Sequence, residues 1–232
     1  MKISMKKRKI GYTYGSVSGH FSFRKQKSIA FESTLERDLL TLLEFNESVD
    51  DVIEQPITIE YINKNGKNTT YTPDYLVYFC ESNTSLLKLD RKPLLIEVKP
   101  KNKLIKDWNI LKPKFKIAMK YAKANDMIFK IYDENRIRTQ YLKNILFLRR
   151  YYKLEYDLSS EDEILSFVHS VGITTIEHIL EYLTSIKESR GLILSHIWHL
   201  LSHKKLLCLM KDNLTIQTNI WINENIEMEI FK

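Results

Sequence analysis

The stretch YTPDYLVYFC (Tyr71–Cys80) predicts a β-strand, because aromatic and branched residues dominate a short run. It opens with a proline and a lone carboxylate, Asp74, in a segment otherwise suited to burial. Two interpretations of Asp74 are open at this point. The aspartate either ends a turn with its charge in water, or stands at the start of a core strand because chemistry requires a carboxylate there.

A second apolar strand, PLLIEVKP (93–100), follows and carries Glu97 and Lys99. Residues two apart in a strand share one face and lie roughly 7 Å apart. The short connection between the two strands favours antiparallel pairing, which can bring Asp74 opposite the Glu97 region. Carboxylates beside a lysine suit a hard cation such as Mg²⁺ that holds a phosphodiester. Taken alone, Glu97 and Lys99 could equally form a surface ion pair of little energetic value.

The elements around these strands predict an α-β-β-β-α-β order. A Ser-x-x-Glu capping box at 33–36 and leucines at helical spacing predict an amphipathic helix over 34–45. NKNGKN contains an Asn65-Gly66 hairpin turn signal between two strands. The remaining elements are predicted as strands at 51–62, 69–79, 93–100 and 127–133, and as helices at 113–126 and 135–150.

Residues 151–232 have a different character and predict a second domain after a first one over 1–150. Three helical segments are followed by an alternating stretch that turns around Lys211-Asp212-Asn213. Three helices and a two-stranded wing are typical of the winged-helix arrangement, which is related to the helix-turn-helix.

Composition excludes several classes of protein. The chain has 232 residues and 44% hydrophobic content, enough for a folded core. Two distant cysteines, Cys80 and Cys208, argue against a disulfide framework and a cysteine-rich zinc site. No apolar run approaches the roughly 20 residues of a membrane span, and the basic start lacks a signal-peptide core. We expect a soluble, cytoplasmic protein.

The net charge of +7 is unevenly distributed along the sequence. Residues 1–150 contain 29 Lys and Arg against 17 Asp and Glu, a net +12, whereas residues 151–232 contain 7 against 12, a net −5. A basic first part indicates a polyanionic partner, most often nucleic acid, although a solvated lysine-rich surface has the same composition. The acidic second part disfavours strong phosphate binding and favours contact with protein.

Pro-Asp, a spacer of about twenty residues and Glu-x-Lys together form the PD-(D/E)xK nuclease signature, here TPD (72–74) and EVK (97–99). FESTLERDLLTLLEF, VIEQPITIEY, YTPDYLVYF and LIEVKPKNKL closely resemble the TnsA family, the transposon-end endonucleases of heteromeric transposases. The resemblance covers roughly residues 20–130. It implies an α/β restriction-endonuclease-like fold with the α-β-β-β-α-β core, followed by a mostly helical winged-helix domain.

The resemblance also implies a role for each residue of the site. Glu36 matches the acidic residue on the first helix, Asp74 the central Mg²⁺ ligand, and Glu97 the third acidic position. Val98 offers its backbone carbonyl to the metal, and Lys99 is the catalytic lysine. Mn²⁺ is a possible substitute for Mg²⁺.

Several residues keep two interpretations. Glu36 is also the third residue of the capping box, and one carboxylate does not easily serve both roles. Gln55, in EQP, supports the site, contacts DNA or makes a strand-end hydrogen bond. Lys101 and Lys103 bind the DNA backbone or are simply solvated.

A row of histidines lies in the second part. His196, His199 and His203 have helical spacing, and we interpret them as helix-face residues rather than zinc ligands, because no cysteine or carboxylate joins them convincingly.

The resemblance implies DNA at transposon ends as substrate, a DDE-type transposase, TnsB, as partner, and the ATP-dependent regulator TnsC as a contact of residues 151–232. The protein would cut the 5′-ended strand while its partner cuts the other. A local contact with DNA through Lys204 and Lys205 stays an alternative. The alternatives are a stand-alone restriction-like nuclease or junction resolvase, and a non-catalytic DNA-binding adaptor.

Overall fold

The computed structural model describes residues 17–63, 66–80, 91–155, 157–184 and 189–224. The chain divides after Arg138 into two compact units, earlier than the boundary expected after residue 150. Each unit has its own core and is described by itself. Within the described ranges, every helix is too short or too polar to cross a lipid bilayer.

The first unit begins with an antiparallel hairpin, β1 (Gly19–Phe23) and β2 (Lys27–Phe31), and continues into α1 (Thr34–Phe45). The predicted helix over 34–45 is confirmed. Ser33 caps it, since its side chain accepts a hydrogen bond from the backbone N–H of Glu36. Four of the leucines of α1 lie on its buried face, whereas Leu42 is partly exposed; the buried leucines are Leu35, Leu39, Leu40 and Leu43.

The central sheet has four strands in the order β3-β6-β7-β8. The pairs β3–β6 and β6–β7 are antiparallel, and β7–β8 is parallel, joined by a helical crossover. With the α1 helix and the crossover, the core follows the predicted α-β-β-β-α-β order. The elements from β3 to β8 are β3 (Val49–Glu54), β4 (Ile59–Ile62), β5 (Asn68–Tyr71), β6 (Tyr75–Phe79), β7 (Leu94–Val98), α2 (Lys101–Lys106), α3 (Trp108–Ala124) and β8 (Ile128–Tyr132).

Two predicted long strands, 51–62 and 69–79, are wrong in extent, because each is divided in two. The first predicted strand divides at Pro56 and the second at Pro73. A proline has no N–H to donate to a neighbouring strand. The inner pieces, β4 and β5, form a separate antiparallel hairpin. Its turn contains Gly66 at φ +72°, and Asn65 of the predicted turn lies outside the described residues.

The predicted helix boundaries also need correction. The helix expected from residue 113 starts at Trp108, because the N–H groups of Ile110 and Leu111 already bond to Asp107, and Pro113 lies inside it. The helix expected over 135–150 is two helices, α4 (Glu134–Ile137) and α5 (Gln140–Leu148).

The break between α4 and α5 has a tertiary cause. Arg138 leaves the helical conformation at ψ 53°, and its guanidinium donates to Asp38 (2.8 Å) and to Thr34 (2.9 Å) of α1. Beyond the break, α5 packs in the second unit, where Leu148 is part of the core. The division of the chain therefore falls within the segment predicted as one helix.

The second unit consists of helices with a small three-stranded sheet in the order β10-β11-β9. The three helices and the strand pair predicted for this part are present, and the short β9 adds a strand that was not anticipated. Its core is built from aliphatic side chains and Trp198. The elements are α6 (Leu158–Val171), β9 (Thr174–Thr175), α7 (Ile176–Thr184), α8 (Arg190–Ser202), β10 (Leu206–Cys208) and β11 (Asn219–Ile222).

Candidate active site

Asp74 lies immediately before β6 and is bonded to β7. Its backbone N–H donates to the carbonyl of Ile96 (3.0 Å), and its Oδ2 accepts from the backbone N–H of Val98 (2.6 Å). The carboxylate is therefore held against the carboxyl end of β7. This arrangement removes the first interpretation, in which Asp74 is a turn residue with its charge in water.

Glu97 and Lys99 form an ion pair, but it is largely buried and does not lie on the surface. Glu97 is only 3% exposed, and its Oε2 accepts from the Tyr71 hydroxyl (2.7 Å). Its Oε1 lies 3.1 Å from Lys99 Nζ, and the Lys99 side chain is 29% exposed. The backbone N–H of Lys99 donates to Tyr132 of β8 (3.0 Å). Because both its backbone and its charge are held, the ammonium group has a defined position at the edge of the site.

Glu36 makes the hydrogen bonds of a helix cap. Its Oε2 accepts from the backbone N–H of Glu32 (2.8 Å), and its Oε1 accepts from the Ser33 hydroxyl (2.8 Å). The Tyr75 hydroxyl, which donates to the Ala30 carbonyl (3.0 Å), also lies 3.3 Å from Glu36 Oε2. The capping role is thus present, and Glu36 also lines the pocket that Asp74 lines.

The site concentrates negative charge in a poorly hydrated place. Burial raises the pKa of Asp74 well above its usual range, and the charges of Glu97 and Glu36 raise it further. Burial also raises the pKa of Glu36, against the hydrogen bonds that lower it. These directions mean that the carboxylates repel one another and that a cation among them would stabilise their ionised forms.

Lys99 responds to the same charges in the opposite sense. Burial lowers the pKa of its ammonium group, but the attraction of the neighbouring carboxylates, Glu97 first, outweighs burial and raises the pKa. Lys99 is therefore a cation at neutral pH. Burial, before any other cause, raises the pKa values of Tyr71 and Tyr75, so both hydroxyls stay protonated. Tyr71 donates its proton to Glu97, whereas Tyr75 donates to the Ala30 carbonyl.

A small acidic pocket adjoins Asp74. Two of its carboxylates, Glu32 and Glu54, were missed by the sequence analysis. So were two tyrosines, Tyr71, which donates to Glu97, and Tyr75, which contacts Glu36. No role was assigned to either glutamate, although Glu32 directly precedes the capping box and Glu54 is the first residue of EQP. The lining residues are Ala30, Glu32, Glu36, Glu54, Gln55, Asp74 and Tyr75.

Gln55 connects the walls of this pocket. Its backbone N–H donates to the Asp74 carbonyl (2.8 Å), and its side-chain Nε2 donates to Glu32 Oε1 (3.2 Å). Its φ is +44°, a conformation that non-glycine residues adopt only at a cost. Of the interpretations open for Gln55, the structure shows the strand-end hydrogen bond, whereas support of the site and contact with DNA stay predictions.

The oxygen donors fit a hard cation in their chemistry. Asp74 Oδ1 accepts no hydrogen bond from the described residues, which leaves it available to a ligand. However, no three His, Cys, Asp or Glu side chains in the described ranges are arranged to hold a metal ion. The carboxylates of Glu36 and Glu97 are turned to their hydrogen-bond donors instead.

The remaining predicted residues lie apart from these carboxylates. Lys101 and Lys103 are exposed on α2, and the backbone N–H of Lys101 donates to Glu134 (2.9 Å). Their contact with DNA stays a prediction.

The three histidines of the second unit lie on and just beyond α8, as their spacing predicted. A carboxylate does join them, because Glu161 of α6 is ion-paired with His199 and also contacts Lys205 (3.1 Å). His203 stacks on Tyr152, and His196 is buried. Glu161 is 1% exposed, so its ion pair with Lys205 is partly buried, and His199 is hydrogen-bonded to the same carboxylate.

Comparison with known protein families identifies both parts of the chain. The family model "TnsA-like endonuclease N terminal" matches residues 46–134, and the model "TnsA endonuclease C terminal" matches residues 136–210. A search of curated proteins found no match. Asp74, Glu97 and Lys99 lie within the first matched range, whereas Glu36 lies before it. The chain belongs to the TnsA-like endonuclease family and has both its amino-terminal and its carboxy-terminal domain, which confirms the resemblance read from the sequence.

Proposed function

We propose that the chain is the Mg²⁺-dependent DNA endonuclease subunit of a heteromeric transposase and cuts the 5′-ended strand at transposon ends. Membership of the family implies a nuclease role in transposition and a DNA substrate. The observation that carries the finer proposal is the β6–β7 contact, in which Val98 holds Asp74 while Tyr71 and Lys99 hold the buried Glu97.

Asp74 and Glu97 would hold the Mg²⁺, with Glu36 and the Val98 carbonyl as further ligands. The bound ion supplies positive charge that stabilises the leaving oxygen and makes water a stronger acid. The Val98 N–H orients the Asp74 carboxylate, and the Tyr71 hydroxyl orients Glu97. Both carboxylates are therefore oriented before the substrate binds.

Lys99 is assigned an electrostatic role. A lysine at this position can orient the attacking water, remove a proton from it, or neutralise the charge that develops on the phosphate. Its ammonium group lies 3.1 Å from Glu97 Oε1, which keeps a positive charge beside the carboxylates and supports the last role. Its partial exposure lets it reach the phosphate from the edge of the site.

The second unit is proposed as a winged-helix domain that contacts the ATP-dependent regulator TnsC, while the nuclease acts beside TnsB. Helices α6 to α8 with the three short strands give the element order that such a domain has. The net −5 of residues 151–232 supports protein contact over phosphate contact.

The test is cleavage of transposon-end DNA by the full chain with candidate TnsB and TnsC proteins and Mg²⁺. Asp74→Ala and Lys99→Ala should each lower 5′-strand cutting on the order of 10²-fold or more. The matched controls Asp50→Ala and Lys67→Ala change an exposed aspartate and an exposed lysine and should cut normally.

The outcomes separate the alternatives. Normal cutting by Asp74→Ala would contradict the site and favour a non-catalytic adaptor. Efficient cutting by the wild-type chain without partners would favour a restriction-like nuclease or a resolvase, because a transposase subunit should be nearly inert alone.

A further inference from the structure

Four lysines form a stripe along one face of α3. Lys112, Lys116, Lys120 and Lys123 follow one another at intervals of four, four and three residues, the spacing that places side chains on one face of a helix. All four are exposed. We call this set the α3 lysine stripe.

Within the described residues, the charge of the stripe is not neutralised by carboxylates. Other lysines of this unit pair with carboxylates, as Lys27 does with Asp51 (2.7 Å). No stripe lysine contacts a carboxylate in the described ranges. Helices α2 and α3 together contain eight lysines and no acidic residue, and Asp107 lies between them. Like charges at this spacing repel one another and weaken a helix. The stripe thus lowers the stability of α3, and a bound anion would remove the repulsion.

The opposite side of α3 fixes the orientation of the stripe. Phe115 and Ala118 are buried in a cluster with Tyr71 and Ile59 of the β4–β5 hairpin. The Phe115 ring lies edge-on to Tyr71 at 6.5 Å between centroids. Because the Tyr71 hydroxyl donates to Glu97, the helix that carries the lysines is packed on the residue that holds the candidate catalytic carboxylate.

The length and charge of the stripe match duplex DNA. Eleven residues of helix separate Lys112 from Lys123, which is about 16 Å at 1.5 Å per residue. One DNA strand carries a phosphate every 3.4 Å of its axis, so the stripe spans about five phosphates. From these observations we infer that the α3 lysine stripe binds the phosphate backbone of the substrate DNA duplex. The inference rests on the proposed function, in which DNA is the substrate.

Binding of a duplex of about 20 base pairs, four times the span of the stripe, tests the inference. The full chain is titrated without Mg²⁺ over a range of salt concentrations, by fluorescence anisotropy. Each phosphate contact contributes about 0.9 to the slope of log K against log salt. Replacing all four stripe lysines with Gln, which has similar helix propensity, should make the slope shallower by about 3 to 4.

A matched variant controls for the general loss of charge. It replaces four exposed lysines outside α2 and α3 with Gln and should change the slope by less than about 1. The inference would be overturned if the stripe variant and the wild type had equal slopes. It would also be overturned if the control variant lost as much slope as the stripe variant. The control positions are Lys67, Lys143, Lys153 and Lys211.

Two further measurements separate this inference from the proposed function. Asp74→Ala should bind the duplex with the wild-type slope but not cut it, which shows binding without chemistry. The stripe variant, at low salt and saturating DNA, should cut at the wild-type position with the partners present. If the stripe variant binds DNA normally but loses a partner protein, the stripe is a protein contact and the inference fails. A melting temperature at or above that of the control variant shows that the stripe variant is folded, since removing the repulsion should stabilise α3.

Discussion

Replacing Tyr71 with Phe isolates one hydrogen bond of the site. The substitution removes the hydroxyl that donates to the buried Glu97 Oε2 (2.7 Å). The aromatic ring stays, so its packing on Phe115 is kept. The substitution therefore removes the donor to Glu97 and almost nothing else.

The cost can be worked from the burial of Glu97. A hydrogen bond to a charged group contributes about 1.5–3 kcal/mol, and a carboxylate that is 3% exposed has little water to replace it. Each 1.4 kcal/mol is a factor of ten, so amides of β6 and β7 should exchange hydrogen about 10- to 100-fold faster. Since residues that orient metal ligands affect activity by about 10–100-fold, cleavage should fall by the same order.

Hydrogen–deuterium exchange of peptides from β6 and β7 measures the first effect, and partner-dependent cleavage measures the second. The matched control is Tyr61→Phe. Tyr61 packs in the same cluster, but its hydroxyl has no hydrogen-bond partner in the described residues. Exchange and cleavage rates for Tyr71→Phe that equal those of Tyr61→Phe would refute the reasoning, because Glu97 would then not depend on the tyrosine.

Three further predictions concern other parts of the chain. Gln55→Val should lower the stability of the first unit by about 1–3 kcal/mol in denaturant unfolding, because a β-branched residue is strained at φ +44°, whereas Gln55→Gly should not. Arg138→Ala should lower the melting temperature more than Arg37→Ala, since Arg138 links Asp38 to a distant helix while Arg37 is its chain neighbour; equal effects would contradict this. Burial lowers the pKa of His203, so its contribution to the free energy of unfolding is complete above the unfolded value of 6.5 and is lost as pH falls below it; in urea titrations at several pH values His203→Gln should flatten that dependence.

Local sequence predicted most elements of the core, because each is stabilised by its own pattern. The capping box and leucines placed α1 correctly at 34–45, and the apolar triplet before Glu97 placed β7. The boundaries failed where tertiary contacts overrode the local pattern. Arg138 divides a segment with continuous helical spacing because it bonds to Asp38 and Thr34 of α1, far away in sequence.

Pro56 and Pro73 can be read from the sequence, but the sequence did not show that each of them divides a predicted strand. Each interrupts a run of strand-forming residues, and the choice between an edge position and a break depends on the neighbouring strands. The result is the separate β4–β5 hairpin. That hairpin provides Tyr71, which is why the residue that orients Glu97 escaped the sequence analysis.

By itself, the sequence determined the chemical character of the site: Asp74, Glu97 and Lys99 at the spacing of the nuclease signature, on strands whose pattern makes them neighbours. The sequence could not show which atoms donate hydrogen bonds to those groups. Only the tertiary structure shows Val98 donating to Asp74, Tyr71 donating to Glu97, and Glu36 retaining its place in the helix cap. The physical reason is that residue type and period are local properties of the chain, whereas the direction of a buried carboxylate is set by hydrogen-bond donors that arrive from elsewhere in the fold.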